Sequence, residues 1–331
     1  MVEYLIELGA GIYLNKENED GETPIFYACR SGNEVMVEYL IELGVNIYKE
    51  DKFGGTPIFD ACESGNKNLV QFLMELGLDI NKMDKYGGIP LFDACLSGNE
   101  NLVEYLIQLG VDINKEDWKG ETPLFQACEK GNKIMIHNLI KNGANINKEN
   151  WYGETPLLNA WKNGNENLLK YLIEEGGADI NKKYEEDKTL LFYVCEKNEK
   201  DKSNKGNGKD NGNGKGIISN ESLIKYLIKM GANINQKDIH DKTPLFYACE
   251  NGNESIVKCL IEMGAEINGK DIHGKTPLYY ANKNKSKNKN IINYLIEKGA
   301  KNINNNNNYY NDNNNYYNSY YYNYRKKLRM I

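Results

Sequence analysis

Asp51-Lys52-Phe53-Gly54-Gly55-Thr56-Pro57-Ile58-Phe59-Asp60-Ala61-Cys62-Glu63-Ser64-Gly65-Asn66, continued by Lys67-Asn68-Leu69-Val70-Gln71-Phe72-Leu73-Met74-Glu75-Leu76-Gly77, carries the plan of the whole chain. Thr56-Pro57 reads as a helix start. The residue before proline is pushed out of the α region, as an N-cap must be, and proline at the first helical position loses no needed donor. Ile58, Phe59, Ala61 and Cys62 give a short apolar face that Gly65 ends after two turns. Leu69, Val70, Leu73 and Met74 then repeat as one buried stripe of a second helix, and Gly77 suits its left-handed cap. The turn-rich stretch that follows reads as a hairpin leading to the next helix. Two helices this short do not bury their stripes alone, so neighbouring units must stack.

Working outward, the same unit recurs. The chain's seven prolines are Pro24, Pro57, Pro90, Pro123, Pro156, Pro244 and Pro277; the first five are spaced by 33 residues, as are the last two. Cys29, Cys62, Cys95 and Cys128 keep the same step. A fixed period of this length is the signature of a repeat architecture.

These residues resemble the ankyrin repeat, a 33-residue unit whose first helix opens Thr-Pro-Leu-His-x-Ala. Thr-Pro-Leu stands at Thr122-Pro123-Leu124, Thr155-Pro156-Leu157, Thr243-Pro244-Leu245 and Thr276-Pro277-Leu278. Thr23-Pro24-Ile25 and Thr56-Pro57-Ile58 are close variants, and Ile89-Pro90 and Thr189-Leu190 weaker ones. The resemblance covers residues 1 to about 304. It implies an all-α solenoid of helix–turn–helix units joined by β-hairpin loops. The family's histidine is replaced throughout, by Phe26, Phe59, Phe92, Phe125, Leu158, Phe192, Phe246 or Tyr279, so an aromatic column with edge contacts is expected there. Ile89 is expected to lose a capping hydroxyl, at a cost of about 1 kcal/mol.

The period breaks at 184–237. Asp187 replaces the turn glycine, Leu190 the proline and Val194 the alanine, and Trp161 has already replaced the recurrent cysteine. Cys195 to Leu227 spans 32 positions where Cys249 to Leu260 spans 11, so 21 residues are inserted within Asn198–Asn220. Their Gly/Asn/Lys composition predicts a disordered loop. One poor interface divides the cooperativity of a quasi-one-dimensional stack. The reading is therefore ankyrin repeats over 1–183 (first unit partial), a degenerate repeat at 184–237, repeats again over 238–304, and an Asn/Tyr-rich tail over 305–331. Met1-Val2-Glu3-Tyr4-Leu5 aligns with Met36–Leu40, inside a second helix. That start leaves open a fragment, a mis-set start codon or a self-association face.

Composition narrows the class further. No apolar run approaches the roughly 18 residues of a membrane span, and the acidic beginning does not read as a secretory leader. Residues 1–196 hold 18 basic and 34 acidic side chains, and residues 197–331 hold 23 and 13, for a total charge of −6. Lys283, Lys285, Lys287 and Lys289 alternate with polar residues, which raises a contact with nucleic acid or another acidic surface; no arginine clamp or stacking platform supports it. Residues 302–324 hold twelve Asn and eight Tyr, followed by Arg325-Lys326-Lys327-Leu328-Arg329.

Chemistry is sought without result. His240 and His273 repeat at equivalent positions, but two imidazoles make a poor zinc site. Cys29, Cys62, Cys95, Cys128, Cys195 and Cys249 occupy one structural place; stacked helices hold them beyond bridging distance, so they read as reduced core thiols of a reducing compartment. No nucleophile–base pair, cofactor fingerprint or phosphate loop is present, so no catalysis and no cofactor is expected.

The resemblance implies that hairpin tips and first helices line a concave protein-binding face. The matching tips are Phe53, Tyr86, Trp118, Lys119, Trp151 and Tyr152, with Asp60, Asp93, Gln126 and Asn159 as outward positions on first helices. The tip aromatics read equally as partner anchors and as packing along the stack. The functional expectation is a non-enzymatic adaptor or scaffold inside the cell, cytoplasmic or nuclear, that binds other proteins. Two alternatives stay open: a tether to nucleic acid or another acidic surface through the basic half, and a recognition module of a larger enzyme.

Overall fold

The computed structural model describes residues 14–196, 219–283 and 288–301. Within them sixteen α-helices follow one another as eight pairs, from Pro24–Arg30 with Glu34–Glu42 to Pro277–Asn282 with Lys289–Glu297. The first helices pack one upon the next, Pro24–Arg30 on Pro57–Ser64 on Pro90–Ser97 on Pro123–Lys130 on Pro156–Lys162, and again Leu190–Glu196 on Pro244–Asn251 on Pro277–Asn282. The second helices form a row behind them. The expected partial first unit, most of the insertion, Lys285 with Lys287, and the Asn/Tyr tail lie outside the described residues.

Helix starts follow the sequence, with one correction. The residue before each proline is extended, from φ −100° at Thr243 to −123° at Ile89. Yet the side chains of Thr23, Thr56, Thr122, Thr243 and Thr276 make no capping bond. Ile89 therefore forfeits nothing that these five counterparts have, and Thr155 alone accepts a capping bond. The Thr23, Thr122 and Thr243 hydroxyls are in fact buried without a partner. Proline at the first helical position, with the fixed φ it brings, starts these helices instead.

The second helices are capped by asparagines. Asn33, Asn66, Asn99, Asn132, Asn165 and Asn253 each accept from the backbone three residues on, as when Leu102 N donates to Asn99 Oδ1 at 3.1 Å. The same side chains stitch units together: Asn66 Nδ2 donates to Gly32 O at 2.9 Å and Asn99 Nδ2 to Gly65 O at 2.8 Å. At the other end Gly77 is left-handed at φ 96°, and Leu78 N donates back to Leu73 O at 3.1 Å.

The connecting fingers are turns, and no strand occurs among the described residues. Each but the one at Tyr184 is closed by an Asp or Asn at its base. Asp51 Oδ1 accepts from Phe53 N and Gly55 N, both at 2.8 Å, and Asp84, Asp117, Asn150, Asp238 and Asp271 repeat this pattern. Adjacent fingers share one backbone rung each, too little for a ladder: Lys52 N to Asp20 O, Lys85 N to Phe53 O, Trp118 N to Tyr86 O, Trp151 N to Lys119 O.

The core is continuous along the stack, with the Ala-Cys pair of most first helices, and Ala160, Val194-Cys195 and Ala281 in the others, buried beside Leu or Ile of the second. All seven cysteines are free and buried, and burial pushes the thiols upward, Cys128 to about 12. The replaced-histidine position is buried at Phe26, Phe92, Phe125, Leu158, Phe192 and Phe246, half-buried at Phe59 and exposed at Tyr279. The aromatic column expected there does not stack on itself. Helix axes about 8–10 Å apart hold equivalent rings beyond the usual contact range. Phe192 meets the edge of Tyr247 at 5.7 Å instead, and Phe246 meets Tyr280 at 5.7 Å.

The period break has a structural counterpart. Tyr184 stands where other fingers carry Asp or Asn, and the finger closes as a 3-10 turn over Glu185–Asp187. Glu186 and Asp187 both lie at φ 59° without being glycine. No rung joins Glu185 N to Tyr152 O, although the rungs resume with Ile239 N to Glu186 O at 3.1 Å. Beyond the undescribed residues the chain resumes at Ser219, which caps the helix Asn220–Lys229.

Candidate functional site

Fingers and first helices together build one face, and most of the sequence-predicted residues meet there. Phe53 and Tyr86 rings lie 6.0 Å apart, and Tyr86 and Trp118 rings 5.9 Å apart. Trp151 continues the row by lying over Gly120, where an added Cβ would come within 2.4 Å of its ring. Lys119 Nζ sits 5.6 Å from the Trp118 ring. The rings support one another, yet all remain accessible, from 43% at Phe53 to 63% at Tyr152. Packing and exposure thus coexist in this row.

The first-helix positions behave differently from expectation. Asp60 is not outward: it is only 7% exposed, held by Arg30 Nη2 at 2.5 Å from its Oδ1. The same guanidinium reaches Glu22 Oε1 at 2.5 Å and Glu63 Oε2 at 3.6 Å. Burial pushes Asp60 up to about 7 against the pull of Arg30. Asp93, one unit later, has no such cation. Burial first, and then the charges of Glu63, Asp60 and Asp84, push it up to about 8. Part of Asp93 still meets solvent, as do Gln126 and Asn159.

Sequence reasoning missed the far end of this face. Lys188, Lys242 and Lys275 stand where Glu22, Glu121 and Glu154 stand earlier, so charge reverses along the row. Lys242 Nζ lies 4.4 Å from the Tyr280 ring and 5.4 Å from the Tyr247 ring, and Lys275 Nζ lies 4.9 Å from the Tyr279 ring. The Tyr247 and Tyr280 hydroxyls donate to Asp238 and Asp271 at 2.6 and 2.7 Å. Burial and these carboxylates hold both phenols well above the ordinary range. The finger aspartates and the tyrosines Tyr193, Tyr247 and Tyr280 recur at equivalent places of their units, and that recurrence was the available signal.

Lys283, part of the suggested basic segment, is paired with Glu250 at 3.1 Å. His240 and His273 are finger residues whose backbone N–H groups donate to Asp238 and Asp271. Among the described residues no group of three acidic, histidine or cysteine side chains is placed to hold a metal ion. Nor is any described helix long and apolar enough to cross a membrane.

Eight helix pairs, seven of them proline-started, agree with a comparison against protein families. The model described as ankyrin repeats (3 copies) matches residues 1–84, 43–117, 91–184, 124–202 and 217–307. The chain belongs to the ankyrin repeat family. No curated protein matches it. Ankyrin repeats generally mediate protein–protein interaction, and the repeat is typically a non-enzymatic module. In this ankyrin repeat protein the family histidine is absent, which accounts for the orphaned threonines. A side chain at the third helical position reaches back to the N-cap when it is polar, and phenylalanine offers nothing to accept or donate.

Proposed function

We propose that the protein is a binding adaptor without catalysis of its own, and that it holds a protein partner on the face built by fingers and first helices. The observation that carries this reading is the finger row Phe53–Tyr86–Trp118, whose rings contact one another, followed by Trp151 and Tyr152, all of them accessible. Ordered, half-exposed aromatic and basic side chains lose little entropy on binding, and such residues dominate interface energies, often by about 2 kcal/mol or more each. Asp93, Gln126 and Lys119 border the row and supply its polar rim.

The test is the pair Trp118→Ala with Trp151→Ala in the full chain. Capture of partner proteins should be lost while the melting temperature stays nearly unchanged. A large fall in melting temperature with capture intact would assign the row to packing alone.

A further inference from the structure

Four Asn-Gly pairs lie among the described residues: Asn142-Gly143, Asn163-Gly164, Asn251-Gly252 and Asn268-Gly269. Such a pair can modify itself, because no Cβ hinders the glycine nitrogen from closing on the asparagine side-chain carbonyl. The side-chain amide of each asparagine donates a hydrogen bond, so it is the backbone that separates the four. Gly143 N donates to Ile140 O at 3.0 Å, Gly164 N to Trp161 O at 3.0 Å and Gly252 N to Cys249 O at 3.3 Å. Gly269 N has no partner among the described residues.

The difference lies in the residue that opens the turn. Asp79, Asp112, Asn145, Asp179 and Asn233 open it in five other units. Their side chains accept from the N–H two residues on, as when Asn114 N donates to Asp112 Oδ1 at 2.9 Å. Their carbonyls accept from the N–H three residues on, as when Lys115 N donates to Asp112 O at 3.3 Å. Glu266 fills the place before Asn268, and with one more methylene it closes no such turn. Neither Asn268 N nor Gly269 N is bonded among the described residues. The Asn268 side chain is also a tie to the last unit: its Nδ2 donates to Gly299 O at 3.1 Å and its Oδ1 accepts from Lys301 N at 2.9 Å. Asn114 and Asn181 tie their next units in the same way, but lysine follows each of them.

We propose that Asn268 is a self-modifying site, and that its conversion to aspartate or isoaspartate unties the last unit of the stack. The Gly269 nitrogen attacks Cγ of Asn268, the Cγ–Nδ2 bond breaks, and ammonia leaves carrying the proton that the Gly269 nitrogen gives up. Water, the one co-reactant, then opens the five-membered imide at either carbonyl. One opening gives aspartate; the other routes the chain through Cγ and gives isoaspartate. Aspartate has no donor for Gly299 O, so two acceptors face each other. Isoaspartate lengthens the backbone by a methylene and carries the side group away. Either product removes the tie that holds residues 299–301, directly after the helix Lys289–Glu297. That helix has a described neighbour on one side only, so it has the fewest other contacts to keep it in place.

Peptide mapping by mass spectrometry of the full chain, aged at neutral pH, tests this. Asn268 should convert about fivefold or more faster than Asn142, Asn163 and Asn251, the factor that one hydrogen bond on the attacking nitrogen supplies. The Asn-Gly pairs at Asn207, Asn211 and Asn213 lie outside the described residues and fall in separate peptides. Glu266→Asp restores the residue of other units and should slow Asn268 by about the same factor. Gly269→Lys copies Asn114-Lys115, and a Cβ there meets nothing nearer than 3.5 Å; it should all but stop the conversion. Hydrogen exchange reads the consequence. The aged chain and fresh Asn268→Asp should both lose protection over Lys289–Glu297 by about tenfold, while Glu254–Glu262 keeps its own. Conversion of Asn268 no faster than that of the other three, or unslowed by Glu266→Asp, would overturn the proposal. So would full protection of Lys289–Glu297 after conversion.

Discussion

The phenol of Tyr184 lies 2.8 Å from Thr155 Oγ1, and this buried contact joins two units whose fingers share no backbone rung. Tyr184 replaces the finger aspartate of other units, and Thr155 is the one N-cap threonine before a helix-starting proline whose side chain accepts a backbone bond, from Leu158 N at 3.3 Å. Trp161 against Tyr193 at 5.9 Å and Tyr226 Oη to Glu174 at 2.9 Å complete the junction. Side chains thus hold a boundary that backbone holds elsewhere.

We propose that the stack opens first at this boundary. Native-state hydrogen exchange should separate the helices before residue 183 from those after it into two protection classes. Tyr184→Phe, which leaves Thr155 Oγ1 without its neighbour, should lower protection on both sides by about 1 kcal/mol. Uniform protection across residue 183 would remove the seam.

Threonines at one repeat position should respond in opposite directions. Thr122→Val removes a buried hydroxyl that has no partner and should be neutral or stabilising by up to about 1 kcal/mol, as Ile89 already illustrates in sequence. Thr155→Val removes a satisfied hydroxyl and should cost about 1 kcal/mol or more. Urea denaturation of the two variants reads the contrast; equal losses would mean that the Thr122 hydroxyl is satisfied in solution.

Stability should depend on pH through the inner-row aspartates. Asp60 and Asp93 are raised by burial to about 7 and about 8, whereas an unfolded aspartate releases its proton near about 3.9. Between those values the folded chain keeps protons that the unfolded chain has lost. Stability therefore falls as pH rises from about 4 to about 8, by at most about 1.4 kcal/mol per pH unit for each group, and then levels off. Asp93→Asn should flatten this slope, with its largest gain near pH 8. A slope unaltered by Asp93→Asn would place the titration elsewhere.

Gly120 and Gly153 share a left-handed backbone, φ 74° and 71°, but differ in surroundings. A Cβ at Gly120 meets Trp151, and one at Gly153 meets nothing within 4 Å. Gly153→Ala should cost about 1 kcal/mol from backbone strain alone. Gly120→Ala should cost more and expose Trp151, seen as a red shift in its fluorescence. The same shift from Gly153→Ala would mean that the ring responds to the finger's backbone and not to the contact.

Much of this was legible in the sequence for a physical reason. Helix starts, helix ends and turn closures depend on residues close in the chain, and a period of 33 repeats each local decision until stacking becomes the only way to bury the stripes. Thr56-Pro57, Gly65 and Gly77 therefore specified two helices and their ends, and the recurrence specified the solenoid. Sequence also located the damaged unit, because Asp187, Leu190 and Val194 depart from the period together. What it left undecided is what one unit does to the next. Asp60 reads as a surface carboxylate on its own helix but is buried, held by Arg30 of the preceding unit. Thr23, Thr122 and Thr243 read as caps, and the buried environment orphans their hydroxyls. Phenylalanines at one register read as a column, and the distance between stacked helices sends Phe192 and Phe246 to the tyrosines beside their equivalents. These outcomes depend on distances across units, which the tertiary structure sets and the order of residues along one unit does not contain.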